Sequence, residues 1–279
     1  MNKIFAISAL LAAATAFAND DILLPQPLTS GGMPLMQALS SRRSLRDFED
    51  RDIGMQTLSS LLWAANGINR PSDGRRTAPT GRNVQDVDVY VMLPSGVYRH
   101  DAKANALRLV NSGDHRSAAG MQPFAREARL NLFYVHDSSR AMKSSDADVM
   151  RYAGIHAGAI MQNVYLFCAK EGLATVARAY LDYDACAKAL KLDAGQRVIL
   201  GQTVGYPPAD GLIGRQAAVR AALGHARLDE RQVRNLACER DREDGRQIYE
   251  IEFKKDGFEY EYEIDAKSGA VLKAKRERD

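Results

Sequence analysis

Five consecutive residues, Arg42-Arg43-Ser44-Leu45-Arg46, set three guanidinium groups around one hydroxyl. Forked N–H donors and a hydroxyl match the oxygens of a phosphate well, so the string is a candidate anion site. The acids Asp47, Glu49 and Asp50 follow at once. On charge alone, a solvated turn in which these acids pair with the arginines is the better account.

Other chemistry-bearing residues are sparse. His156 lies in the run Ala153-Gly154-Ile155-His156-Ala157-Gly158-Ala159, with no carboxylate or Cys partner at metal-ligand spacing. A lone His among Gly and Ala is more often packed and hydrogen-bonded than a ligand or an acid-base group. Cys168, Cys186 and Cys238 are an odd number without a C-x-x-C pair. They read as small buried hydrophobes, not as a disulfide framework or a metal site. Tyr98, Phe124 and Trp63 read as core aromatics.

The 279 residues are 46% hydrophobic and 26% charged, the composition of a globular protein of one or two domains. A net charge of +3, with both signs interspersed, is too weak to imply a nucleic-acid partner. Lys3, the apolar run Ile4 to Phe17, and Ala16 and Ala18 in an A-x-A arrangement predict a cleaved signal peptide over residues 1–18. The run is shorter than the roughly 20 residues that span a bilayer. The mature protein is therefore expected in the periplasm or outside the cell.

The elements that would carry the cluster follow from periodicity. Residues 19–33 form an extended lead-in, and a short helix over Met33 to Ser41 places the arginines at its end. Leu58, Leu61, Leu62 and Ala65 give a core helix over Met55 to Asn66, stopped by Gly67. Arg70 to Gln85 is a long polar loop. Strands are expected at Val87 to Leu93, Val97 to His100, Ala106 to Val110 and Leu130 to Val135, and helices at Ser117 to Arg129 and Asp146 to Glu171. Leu173 to Tyr180, a helix over Asp184 to Lys191 and a strand over Arg197 to Val204 complete an α+β pattern. After Gly205-Tyr206-Pro207-Pro208 comes a helix over Gly214 to Leu223. Strands follow in which Tyr249, Ile251 and Phe253 share one face, as do Phe258, Tyr260, Tyr262 and Ile264, around an Asp256-Gly257 turn. A last strand spans Ala270 to Ala274.

Several strings in this order resemble the nitroreductase-like flavin oxidoreductases, in particular the branch with the azoline dehydrogenases of peptide modification. They are Arg42-Arg43-Ser44-x-Arg46, Arg75-Arg76-Thr77-Ala78-Pro79-Thr80 with Asn83, Gly96-Val97-Tyr98, His156-Ala157-Gly158-Ala159-x-x-Gln162-Asn163, Glu171-Gly172-Leu173-Ala174-Thr175 and Gly205-Tyr206-Pro207. The resemblance implies a nitroreductase-like fold over 34–208, with a mixed or antiparallel sheet flanked by helices, a homodimer, and FMN as cofactor. It implies that Arg42 and Ser44, with Arg43 beside them, hold the phosphate and ribityl end. Arg46 would lie at the pyrimidine edge, where a fixed cation stabilises the negative charge that reduction leaves around N1 and O2. Pro79, Thr80 and Asn83 match a loop that approaches the cofactor across the dimer interface. Ala179 and Tyr180 stand where many relatives have Glu-Gly and would offer backbone N–H groups to flavin N5. The catalytic candidates are thus Arg46 and Ala179. One departure is Pro208-Ala209-Asp210, where relatives commonly have Lys or Arg to complete the phosphate site; Arg215 is a candidate substitute.

Residues 211–279 resemble a PepSY domain, through Arg215-Gln216-Ala217-Ala218, Tyr249-Glu250-Ile251 and Ile264-Asp265-Ala266-Lys267-Ser268-Gly269-Ala270-Val271-Leu272. The resemblance implies an extracytoplasmic α+β module that associates with a peptidase or another envelope protein. Two classes of function follow: an FMN-dependent oxidoreductase acting on a small-molecule or peptide-derived substrate, or an exported binding protein built on a degenerate scaffold.

Overall fold

The computed structural model describes residues 20–208, 212–243 and 245–278. The expected signal peptide lies outside the described residues, among which no helix is long and apolar enough to cross a membrane. In chain order the elements are β1 (Ile22–Leu23), α1 (Leu35–Ser41), α2 (Met55–Asn66), β2 (Ile68–Arg70), β3 (Arg75–Arg76), β4 (Val87–Leu93), β5 (Gly96–Asp101) and β6 (Ala106–Ser112). Next come α3 (Pro123–Glu127), β7 (Leu130–Asp137), α4 (Asp146–Glu171), β8 (Ala174–Arg178), α5 (Tyr183–Ala189) and β9 (Gln196–Gly205). The C-terminal part holds α6 (Arg215–Ala226), β10 (Arg234–Glu243), β11 (Arg246–Lys255), β12 (Phe258–Asp265) and β13 (Val271–Arg278).

A seven-stranded sheet, ordered β1-β6-β5-β4-β7-β9-β8, is the frame of the first part. Every pairing in it is antiparallel. Alternate residues of a strand point to opposite faces, and both faces of the central strands are covered. Val89 and Val91 of β4 meet Leu58, Leu61 and Leu62 of α2 and Ala157, Ile160 and Val164 of α4. Tyr90 and Met92 meet Phe124, Cys186 and Leu190 on the other side. Each fully buried Leu or Ile contributes about 1.5–3 kcal/mol, so these two layers hold the sheet rigidly beneath whatever its edges carry.

The long helix α4 has the bounds its sequence predicts. Ser145 caps it by accepting from the Asp148 amide, Asp146 and Asp148 complement the positive end, and Gly172 ends it at φ 68°. Of its small-residue run, Ala153 and Ala157 are buried, whereas a side chain on Gly154 or Gly158 would meet open space. The helix expected over Ser117 to Arg129 is broken into a 3-10 turn at Arg116–Ala118 and the short α3. Gly120 and Pro123 explain the break, since Pro123 has no amide to continue a helix and instead starts α3.

The C-terminal part is an antiparallel meander, β10-β11-β12-β13, with α6 packed on one face. Ala218, Val219, Ala222 and Leu223 of the helix bury Tyr249, Ile251, Phe253, Tyr262 and Ile264. Phe253 stacks on Tyr260 with ring centroids 4.9 Å apart. The turn between β11 and β12 places Asp256 at φ 51° and Gly257 at φ 76°, the left-handed pair that a two-residue hairpin demands. The first strand, β10, is absent from the periodicity reading. It is a sheet edge whose second half is exposed on both faces, so Arg240-Asp241-Arg242-Glu243 shows no alternation.

Candidate active site

The Arg/Ser cluster leaves α1 through Arg42, whose backbone turns extended at φ −56° and ψ 124°. The chain then runs beside β8, the outer strand of the sheet, and the Leu45 amide donates to the Thr175 carbonyl at 3.0 Å. Tyr165 of α4 is the pivot. Its hydroxyl accepts the Ala177 amide hydrogen at 2.9 Å and lies 2.9 Å from Ser44 Oγ. Because Tyr165 already accepts from Ala177, its own proton can go to Ser44 Oγ, which leaves the Ser44 hydrogen for a ligand. The Arg42 guanidinium lies over the Tyr165 ring, 5.4 Å from its centroid.

The neighbouring acids do not neutralise these arginines. Asp47 accepts from the amides of Gln216 and Ala217 at the start of α6, and burial raises its carboxyl above the ordinary range. Asp50 lies 3.4 Å from Arg129, and Glu49 lies 3.8 Å from Arg240. Among the described residues no carboxylate pairs with Arg42, Arg43 or Arg46, and Arg43, Ser44 and Arg46 are exposed. The ion-paired turn is therefore not what forms. A cluster of like charges held at the end of a helix and along a strand edge is an arrangement that an anion would stabilise.

Arg43 lines a cleft of about 270 Å³ together with Tyr165, Thr175, Pro207 and Pro208. It is thus a basic residue beside the Pro207-Pro208 end of the Gly-Tyr-Pro-Pro string. Arg215, the expected substitute, instead lies 3.7 Å from Glu127. The Arg51 guanidinium lies over Tyr206, 3.9 Å from the ring centroid, a contact no sequence pattern announces.

Ala179 and Tyr180 continue from the end of β8 and are exposed. Their carbonyls are engaged: Ala179 accepts from the Leu181 amide and the Tyr183 hydroxyl, and Tyr180 accepts from the Met121 amide. Neither amide has an acceptor among the described residues. Arg178 just before them is a buried cation with no carboxylate partner among the described residues, its pKa pulled down to about 10 by burial. It donates to the Ala119 carbonyl at 2.5 Å and to Asn131 Oδ1 at 2.7 Å. A side chain on Gly120 would come within 2.4 Å of its Nη1, so only glycine fits that approach.

The loop with Pro79, Thr80 and Asn83 is held elsewhere. The Gly81 amide donates to His156 Nε2 at 2.8 Å, and His156 Nδ1 lies 2.6 Å from Asp86 Oδ1. Both ring nitrogens of this buried residue are engaged inside the protein, which fits neither a metal ligand nor an acid-base group. No group of His, Cys, Asp and Glu that could hold a metal exists among the described residues. From His156 to Tyr165 is roughly 13 Å along the helix axis. Within one chain, then, Arg42, Ser44, Arg46, Ala179 and Tyr180 gather near the C-terminal half of α4, and Pro79, Thr80 and Asn83 lie over its other half. The three cysteines are buried and unpaired, and burial pushes Cys186 and Cys238 up to about 11.

Tyr165 is the site residue the sequence did not announce, and Tyr165→Phe tests its bridge. Losing a hydroxyl that serves Ser44 and the Ala177 amide is expected to lower stability by about 1–2 kcal/mol, read as a shift of the urea midpoint. An unchanged midpoint would show that the cluster and β8 are not tied through this group.

Residues 39–206 match the nitroreductase family, and residues 213–275 match PepSY, the peptidase propeptide and YPEB domain. A protein of Methanocaldococcus jannaschii provisionally named a nitroreductase is 26% identical over 152 residues, covering 51% of this chain and 76% of that protein. A crystal structure from Ralstonia eutropha, also provisionally named a nitroreductase, is 38% identical with a TM-score of 0.65, covering 68% of this chain and 90% of that one. A chain of the E. coli microcin synthetase McbBCD complex, solved with truncated pro-MccB17, shares the fold at 22% identity and a TM-score of 0.53, over 73% of this chain and 84% of that one. With the family match spanning more than half of its length, the chain belongs to the nitroreductase family and carries a PepSY domain at its C-terminal end.

Proposed function

We propose that this chain is an exported, homodimeric FMN-dependent oxidoreductase that moves hydride equivalents to or from a small-molecule or peptide-derived substrate in a ping-pong cycle. The observation that carries the reading is the unneutralised set Arg42, Arg43 and Arg46 around Ser44, anchored through Tyr165 to the strand that leads into Ala179. Arg42, Arg43 and Ser44 bind the phosphate and ribityl end as forked and hydroxyl donors. Arg46 stands at the pyrimidine edge as a fixed cation, and the amides of Ala179 and Tyr180 face N5. The Pro79–Asn83 loop, held over the other half of α4, completes the site from a second copy. Bound FMN supplies two-electron chemistry at N5.

The fit of the group rests on charge and donors. A phosphate meets the guanidinium groups of Arg42 and Arg43, with no competing carboxylate among the described residues, and its charge relieves their mutual repulsion. The PepSY domain supports an extracytoplasmic address and an association with an envelope protein or peptidase.

Anaerobic reduction followed by exposure to nitro compounds, quinones and thiazoline-type peptides tests the reading. Bleaching of the visible flavin band by a hydride donor or an oxidisable substrate, with recovery by an acceptor over many turnovers, is the expected result. Bound flavin that dithionite reduces but that exchanges with no substrate of the panel would leave the PepSY-bearing chain as a binding protein.

A further inference from the structure

The Pro79–Asn83 loop holds a conformation that its own residues do not favour. Arg82 at φ 50°, Asn83 at φ 56° and Gln85 at φ 49° all lie in the left-handed region. Non-glycine residues enter that region at a cost, smaller for Asn than for Arg or Gln, and hydrogen bonds both within the segment, such as the Gln85 amide to Thr80 Oγ1 at 3.1 Å, and from outside it hold this conformation. From below, Arg140 donates to the Gln85 carbonyl at 2.6 Å and Arg76 to Gln85 Oε1 at 2.9 Å. At the tip, His156 Nε2 of α4 accepts the Gly81 amide hydrogen at 2.8 Å.

The chemistry of the ring fixes this role. A nitrogen that accepts an amide hydrogen carries no proton, so the His156 proton sits on Nδ1, where it is donated to Asp86 Oδ1 at 2.6 Å. His156 and Asp86 are each 2% exposed, so water does not compete for either bond. Asp86 is the residue that closes the loop at the start of β4, and its other carboxylate oxygen lies 3.2 Å from His136 Nδ1. The pair therefore links the base of the loop, through the imidazole, to its tip.

We propose that His156 is a positioning residue for the cofactor, fixing the Pro79–Asn83 loop by accepting the Gly81 amide while Asp86 holds the ring in the accepting tautomer. The inference rests on the FMN reading and on the place of that loop in it. His156 touches no cofactor itself and acts through the loop that would.

Two isosteric changes separate the two ends of the ring. His156→Gln keeps an acceptor near the Nε2 position and gives up the Asp86 bond; His156→Asn keeps a donor near Nδ1 and gives up the Gly81 bond. Each breaks one half of the buried network, so each is expected to lower the melting temperature. FMN affinity of the full chain, read by fluorescence quenching, is expected to stay within about threefold of wild type in the Gln variant and to weaken about tenfold in the Asn variant, the worth of one ordered hydrogen bond. Tryptic cleavage after the exposed Arg82 is expected to quicken in the Asn variant only. Gly81→Pro serves where the Asn variant does not fold. It removes the donated hydrogen and sets the ring Cδ in its place, which pushes the tip off His156 Nε2, 2.8 Å from the Gly81 nitrogen, while the His156 and Asp86 side chains stay as they are; Thr80 before it, at φ −133° and ψ 148°, already has the extended backbone that proline requires. Its FMN affinity should fall as in the Asn variant. Wild type that binds FMN, with both His156 variants weakened alike or neither weakened, would overturn this inference alone. Wild type that takes up no FMN would overturn the flavin reading and this inference with it.

Discussion

Replacing Arg42 and Arg46 together by Ala is expected to weaken FMN binding by a hundredfold or more, with little change in the melting temperature. Each guanidinium contributes a charge-assisted interaction of about 1.5–3 kcal/mol with a bound anion, and two such losses amount to about two to four powers of ten. The fold should not suffer, because neither side chain has a carboxylate partner among the described residues, and only the stacking of Arg42 on Tyr165 is lost. The single Arg46→Ala variant should also shift the flavin midpoint potential downward, since a cation at the pyrimidine edge favours the reduced state. Titration of apoprotein with FMN reads the first effect. A double variant that binds like wild type would place the phosphate elsewhere.

Arg178→Ala is expected to lower the unfolding free energy by about 2–4 kcal/mol, and the opposing contributions show why the loss wins. Truncating a large buried side chain costs about 3–5 kcal/mol in lost packing, and orphaning the Ala119 carbonyl costs about 1–3 kcal/mol more. Against this stands the relief of a buried charge whose pKa is held down to about 10, worth roughly 3 kcal/mol. Arg178→Met fills most of the volume without the charge and should be far milder. Thermal unfolding should therefore rank wild type and Met above Ala, with the Ala variant lower by several degrees. Both variants release the Ala119 tether beside Met121 and Tyr180, so both should loosen the segment that carries Ala179 and Tyr180. An Ala variant as stable as wild type would mean that Gly120 and Ala119 close over the gap.

What the sequence disclosed depended on whether the signal was local. The bounds of α4 were legible because the Ser145 cap, the first-turn acids and Gly172 all sit within a turn of its ends. The Asp256-Gly257 hairpin was legible for the same reason. The segment from Ser117 to Arg129 was misread because its helical composition hides what Gly120 and Pro123 impose. β10 was missed because the second half of this edge strand, exposed on both faces, has no periodicity to display.

The candidate site divides in the same way. The Arg/Ser string was visible as a string, and a family pattern gave it meaning, but composition alone favoured an ion-paired turn. That account fails through long-range contacts: Asp47 is drawn to the start of α6, and Asp50 to Arg129, 79 residues away by subtraction of the numbers. Tyr165 meets Ser44 across 121 residues, a separation over which no spacing rule operates. His156 was read correctly as a packed, hydrogen-bonded residue, but its partner Gly81 lies 75 residues away and could not be named.

The central claim is that the Arg42, Ser44 and Arg46 cluster binds FMN. Titrating flavin-free mature protein with FMN, with riboflavin as the control that lacks the phosphate, tests it directly. The account predicts saturable uptake of one FMN per chain, with binding of riboflavin weaker by at least about a hundredfold because the phosphate carries the charge-assisted contacts. Uptake of neither flavin, or equal affinity for both, would contradict it.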